Sequence, residues 1–578
     1  SNALTGVFQS YSEASYHPFA HGLNSDVEWF GQDTWKATRR LTIDYGIRFS
    51  LLVPDSLRGQ TVSEFNPAVY NASNQPRLIQ PLCVTSNPCK GTARVGYDPA
   101  TGAQYPAGAI GLFVPDTGTP YEGMSQYVSH TMNNPPIGFG PRVGFAWDIF
   151  GNGKMAVRGG FGMFYDRPGS IDSVALQYVE GPPLISTPSI YNDTIGSFLN
   201  NPPASYIGPQ NVNGTVRDYK MPQSYDYNLG IQRDLTHGAL LDVSYVGNVS
   251  RHGQQRTNLS QLPFGAHFMN GTAGFPDNVD PTTGSAYTDN IIRCNLSLYC
   301  GYGSTNFSTY DGNSNYNSLQ TSITKRFGRT LTAGASYTFS KVLDYSGCCS
   351  IWLPDRYFYG PGSNDRRHNL TVNWTYNFPN SHFENSVLKT LANGWVVQGI
   401  VTMISGSPQT VRASYKTDAS GGGPVTGLLI TGAPIKRGAP VNSGLGPQYL
   451  NPASFTLAPS GDTGTGASGD CVAPFLPQDC GLGNNSQSAD FYGPGTNNWD
   501  ISLFKNFQLG ANEARHLQFR WETYNTFNHT QFTSINTTAN FKSYNRTTGA
   551  NPNPSTPFGQ FTAAAPARIM ALALKLYF

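Results

Sequence analysis

Asp365, Arg366, Arg367 and His368 form one run that combines acid, cations and imidazole, the groups from which proton-transfer sites are assembled. Asn369 and Leu370 follow at once and open an alternating segment, so the run lies where a long loop meets a strand. It reads as a polar cluster of the lumen, at the mouth of the fold. Arg520 and Glu522, two residues apart in a strand, share one face and suit an ion pair within the lumen better than a pair of catalytic carboxyl groups. Gly159-Gly160-Phe161-Gly162 and Gly421-Gly422-Gly423 lack the Lys-Ser/Thr and the strand-to-helix setting of a phosphate loop. Asp311-Gly312-Asn313-Ser314-Asn315 offers oxygen ligands without the EF-hand order or its closing Glu. No Ser/His/Asp set can be placed at one rim. The residues therefore point to no catalytic centre, no resident metal and no cofactor. Trp352, Asp355, Arg356, Tyr357 and Tyr359 pose a different possibility, because rings beside opposite charges can stack on a sugar or grip a peptide. The alternative for that loop is packing against its neighbours.

Eight cysteines fall as four close pairs: Cys83 with Cys89, Cys294 with Cys300, Cys348 with Cys349, and Cys471 with Cys480. None has the spacing of a zinc knuckle, and the three spaced pairs are expected to close as local disulfides in an oxidising compartment. The vicinal Cys348 and Cys349 leave cross-pairing or free thiols open, because a bond between neighbours strains the backbone.

What must position these residues is β-structure. Only 12% of the 578 residues are charged, against roughly 25% in soluble domains. Aromatics reach 13%, with 32 Tyr and 33 Phe, a mix that favours strands. A net charge of +2 with no basic run gives no field to gather nucleic acid. No apolar run is long enough for a membrane helix, and mean hydropathy is mildly negative. Strands of a membrane barrel would escape that test, since lipid-facing and lumen-facing residues cancel in any average.

The period supplies the positive signal. Leu370, Val372, Trp374, Tyr376 and Phe378 alternate with Thr371, Asn373, Thr375 and Asn377. Leu41, Ile43, Tyr45, Ile47 and Phe49 alternate with Thr42, Asp44, Gly46, Arg48 and Ser50. Such segments run about nine to thirteen residues, longer than the usual five or six of soluble strands and long enough to cross a bilayer on a tilt. They predict about thirteen strands, near 25–36, 40–52, 139–150, 153–165, 222–234, 238–250, 314–327, 329–342, 367–378, 393–405, 497–509, 514–527 and 567–578. Their connections are short and long in turn, with every cysteine pair on the long side, which is the outer-membrane pattern with long loops outside. A soluble sandwich or propeller is the weaker reading on strand length.

The last strand carries Met570, Leu572, Leu574, Leu576 and Phe578 on one face. That ending resembles the C-terminal signal by which the assembly machinery recognises outer-membrane barrels. Several further segments resemble one family in order and spacing. They are Asp33-Thr34-Trp35-Lys36 leading to Arg40-Leu41-Thr42-Ile43-Asp44-Tyr45-Gly46-Ile47-Arg48, then Pro141-Arg142-Val143-Gly144-Phe145-Ala146-Trp147-Asp148 and Arg158-Gly159-Gly160-Phe161-Gly162. Gln223-Ser224-Tyr225, Asp242-Val243-Ser244-Tyr245-Val246-Gly247-Asn248, Asp365-Arg366-Arg367-His368-Asn369-Leu370 and Arg520-Trp521-Glu522-Thr523-Tyr524-Asn525-Thr526-Phe527-Asn528-His529 complete the set. The chain is similar to Oar-like TonB-dependent receptors along nearly its whole length.

That resemblance implies an antiparallel transmembrane barrel of about 22 strands or more, a plug in its lumen and a segment that binds TonB in the periplasm. Neither plug nor segment is in this sequence. The expectation is thus that residues 1–24 end an extracellular loop, that 25–578 supply about 12–14 strands of a larger wall, and that a seam lies open between the first and last strands. The partners implied are outer-membrane lipid, the barrel assembly machinery, the TonB system and an extracellular ligand. The function implied is energised uptake of a large or scarce nutrient, carbohydrate or peptide. A surface-binding or adhesion protein acting through its loops is the alternative.

Overall fold

The computed structural model describes residues 6–17, 19–168, 176–179, 181–195, 206–235, 238–262, 279–283, 285–296, 298–328, 330–345, 351, 358–414, 428–442, 447–457, 488–510, 515–540, 553–554 and 557–578. Thirteen strands make one continuous path in the main sheet. They are β1 (Asp26–Trp35), β2 (Leu41–Leu52), β3 (Gly138–Asp148), β4 (Met155–Tyr165), β5 (Gln223–Leu235), β6 (Ala239–Asn258) and β7 (Tyr302–Phe327). Then come β8 (Leu331–Tyr345), β9 (His368–Asn377), β10 (Trp395–Ile404), β11 (Thr496–Gln508), β12 (His516–Tyr524) and β13 (Ile569–Tyr577). Each pairs antiparallel with the next in chain order. Among the described residues no pair joins β1 to β13.

The register turns thirteen separate alternations into two continuous faces, because paired residues point the same way. Tyr45, Val143, Phe161 and Tyr227 follow one another across β2 to β5. Leu229, Tyr245, Leu319 and Phe339 do so across β5 to β8, and Leu503, Trp521 and Leu572 across β11 to β13. The opposite face is small or polar: Asp44, Gly144, Gly160, Asn228, Val246, Ser318 and Ser340 form one such row. On the apolar face Leu229 is 55% exposed and Leu574 67%. A band of that extent is solvated by lipid, not by water.

Connections on one side are short, at 36–40, 149–154, 236–238, 328–330, 378–394 and 509–515. The turn at 149–154 shows how they close: Gly151 and Gly153 adopt positive φ, and the Asp148 carboxylate accepts a hydrogen bond at 2.9 Å from each of their amides. The longest of them, 378–394, holds a helix, α1 (Ser386–Ala392), capped by Asn385.

On the other side the long connections build a cap with cores of its own. Thr61–Phe65 pairs with Met124–Val128, Val7–Ser12 with Ser189–Thr194, and Phe532–Ile535 with Phe561–Ala564. Phe65, Val212 and Tyr302 form one buried cluster; Val411, Leu450, Phe455, Phe491, Ile535 and Phe558 belong to another. β6 and β7 reach into this cap beyond the ends read from their alternation, pairing as far as Asn258 with Asn306 past a register shift between Ser250 and Gly253. Gln210–Thr215 adds a parallel partner to that extension. Disulfides Cys83–Cys89 and Cys294–Cys300 lie in the cap, as expected. Cys348, Cys349, Cys471 and Cys480 fall outside the described residues.

Candidate functional site

Where β1 to β4 rise to the long-loop rim, their polar face and the chain after β4 enclose a cavity of about 650 Å³. The acids Asp26, Glu28, Asp55 and Asp166 and the cations Arg48, Arg142 and Arg167 all line it. Strand parity explains the wall part. Glu28, Arg48 and Arg142 occupy polar-face positions of three adjacent strands, with Glu28 opposite Ser50.

The charges hold one another. Glu28 accepts from Arg48 Nε at 2.9 Å and from Ser50 Oγ at 2.7 Å, and Arg48 Nη2 bonds its second oxygen. Arg167 bridges two strands' ends, pairing with Asp26 and donating to Asp55 at 3.1 Å. The hydrogen bond to the Asp26 carboxylate raises the pKa of the Arg167 guanidinium. Arg142 lies 4.4 Å from the centre of the Phe164 ring and has no ion-pair partner among the described residues. A guanidinium backed by a ring, between fixed carboxylates, can hydrogen-bond a polar solute that carries both donors and acceptors.

The residues singled out from sequence do not gather into one site. Asp365 is fully buried; its Oδ1 accepts from the Val342 amide at 2.7 Å and its Oδ2 from the Tyr492 hydroxyl at 2.6 Å. It therefore latches the loop after β10 onto the rim of β8. Arg366 donates to the carbonyls of Ser363 and Asp365, and the Arg367 guanidinium stands 5.8 Å from the Phe339 ring centre. His368 departs from the lumen placement read for it. It pairs with Phe339 on the apolar face, and its Nδ1 shares a 2.7 Å hydrogen bond with the Tyr337 hydroxyl.

Arg520 and Glu522 sit far along the sheet on the polar face of β12, 3.9 Å apart, and Arg520 Nη2 also donates to the Tyr577 hydroxyl at 2.9 Å. Of the aromatic loop, Tyr359 accepts a 2.5 Å hydrogen bond from Asn315 and packs on Tyr345, which makes it part of the wall's extension. Trp352, Asp355, Arg356 and Tyr357 fall outside the described residues. Met570, Leu572, Leu574 and Leu576 all face outward, and Phe578 is 97% exposed at the short-turn rim. The rim cavity went unread because strand parity says which face a charge takes but not which charges the register brings side by side. The signal within reach was that Glu28, Arg48 and Arg142 all fall on polar-face positions of neighbouring strands.

The model of the outer membrane beta barrel domain matches residues 1–571. No curated protein matches the chain. Among solved structures it is similar to the outer membrane transporter YddB from Escherichia coli, at 10% identity and a TM-score of 0.40, covering 96% of this chain and 54% of that one. The siderophore receptor PiuA from Acinetobacter baumannii gives 8% identity, a TM-score of 0.38 and coverage of 96% and 44%. The ferric-catecholate import receptor Fiu from Escherichia coli K12 gives 10%, 0.37, 96% and 45%. The chain spans about half the length of these structures.

Proposed function

The chain belongs to the outer membrane beta barrel domain family and resides in the bacterial outer membrane, and we propose that it is the wall of a TonB-dependent receptor that takes up a polar nutrient, a carbohydrate or a peptide. The observation that carries this reading is the charged cavity on the polar face at the long-loop rim, directly opposite the lipid-facing band. A solute arriving from outside meets there a pocket of fixed carboxylates and guanidinium groups rather than a greasy slot. Arg142 is the anchoring group, since the other two arginines already hold acids. TonB supplies the energy through the plug that the family resemblance implies, and no catalytic step is involved.

The test is uptake by cells that make the full-length protein, offered a panel of radiolabelled oligosaccharides and peptides. One class should accumulate, accumulation should stop when the TonB system is inactivated, and Arg142→Ala should lower it. Accumulation indifferent to TonB would overturn the reading. A second reading, surface binding without transport, is favoured by the packed cores and disulfides of the cap. It predicts retention of the same label at the cell surface whether or not TonB is active.

A further inference from the structure

At the short-turn rim the connection between β9 and β10 leaves an apolar surface uncovered. Val387 is 66% exposed, Leu388 50% and Leu391 57%, and Phe378 and Phe383 nearby are exposed as well. In α1 these three aliphatic residues fall within about 100° of arc, while Ser386, Lys389 and Thr390 occupy the rest. This is an amphipathic turn of helix whose greasy side the described residues leave largely uncovered.

Its place on the wall says what covers it. The Trp395 indole donates to the Leu391 carbonyl at 2.9 Å. Lys505 Nζ donates to the Thr390 carbonyl at 2.5 Å and bonds the Asn393 carbonyl too, so it caps the helix's carbonyl end. Trp395 and Lys505 are paired across β10 and β11 in the register of the apolar band. The helix is therefore docked on the outer side of the wall, not over the lumen. Its apolar residues continue the lipid-facing band past the end of the strands. Lys505 makes the same point from beneath: a lysine on a lipid-facing row is 2% exposed because the helix terminus, with the Trp395 and Phe507 rings about 5 Å away, wraps it.

We infer that residues 378–395 form a membrane-interface anchor, with Val387, Leu388 and Leu391 embedded in the phospholipid of the periplasmic leaflet. Short helices with one apolar arc and a polar back lie in the headgroup boundary in this way. The anchor fixes the height of the wall in the bilayer and keeps the Lys505 charge out of the acyl region.

The full chain, reconstituted in phosphatidylethanolamine/phosphatidylglycerol vesicles, tests this with nitroxide attached through p-acetylphenylalanine at 388, 389 or 391, and at 574 as a reference in the band. Collision with oxygen relative to a water-soluble nickel chelate should be several-fold higher at 388 and 391 than at 389, and should approach the value at 574. A water-like ratio at 388 and 391 beside a lipid-like one at 574 would overturn the anchor while leaving the band intact. Protection from both reagents at 388 would also overturn it, since a protein partner would then occupy the face. A water-like ratio at 574 would overturn the band and the anchor together.

Discussion

Leu229 in the wall and Phe65 in the cap are both large apolar residues on β-strands, yet the first is 55% exposed and the second 0%. The wall turns its apolar side chains outward and keeps Gly, Ser, Asn and charge within. The cap, built from the connections between the same strands, does the reverse, with Phe65 edge-on to Tyr302 and Tyr299. One chain thus folds by two rules because its parts meet two solvents. In lipid, apolar contact with a neighbour gains little over contact with acyl chains, and the backbone ladder holds the sheet. In water, burial of rings holds the cap.

The largest effect is expected where the cap follows the water rule. Phe65→Ala should destabilise the cap by about 3–5 kcal/mol, the range for an aromatic core truncation, and leave the wall inserted. Amide hydrogen exchange should speed up at 61–65 and 210–215 but not in β9 or β10. The wall should respond to charge instead. Leu229→Arg places a cation in lipid at a cost of roughly 2–4 kcal/mol, whereas Asn228→Arg one position away faces the wet side. Folded protein recovered from the outer membrane should fall for the first only, and equal recovery would break the comparison.

A smaller effect is expected at the junction of the two regions. Tyr492→Phe removes the donor to the buried Asp365 carboxylate, at about 1–3 kcal/mol for an acceptor left unsatisfied. Loosening should be confined to exchange in residues 488–495.

A pH dependence of the cap sharpens the solvent argument. Burial pushes the Glu64 carboxyl in the cap up to about 8 from its ordinary 4.5, against the Thr215 amide and Arg217, which favour the charge. The folded cap then binds more protons than the unfolded chain between those values. Its stability is fully present below pH 4.5 and falls by up to about 1.4 kcal/mol per pH unit as pH rises toward 8. Protection of the amides at 61–65 should be greater at pH 5 than at pH 9, and Glu64→Gln should flatten the difference.

How much of this was legible follows from the same two solvents. All thirteen wall strands could be read, eleven of them within a few residues at both ends and β6 and β7 at one end only, because lipid on one side and water on the other write a two-residue period into the chain. Beyond Ser250 the strand β6 continues through Arg251, His252, Gly253, Gln254, Gln255 and Arg256. No period survives there, since neither face meets lipid, and the extension was unreadable. The helix Ser386–Ala392 was missed for a related reason: seven residues carry too few turns to show a helical period inside a connection. The disulfides Cys83–Cys89 and Cys294–Cys300 were readable because close spacing limits their partners. The rim cavity was not, because it depends on which of several polar rows the register aligns. His368 was misplaced by its charged neighbours; parity with Leu370 would have put it on the apolar face.

The central claim, that the band faces lipid while the cap packs in water, is tested most directly by labelling the membrane-embedded chain with a carbene reagent confined to the acyl region and locating the adducts by mass spectrometry. The account predicts adducts at Tyr245, Leu319, Trp521 and Leu574, and none at Asn228, Ser318, Phe65 or Phe455. Adducts spread equally over both wall faces, or found on the cap's buried rings, would contradict it.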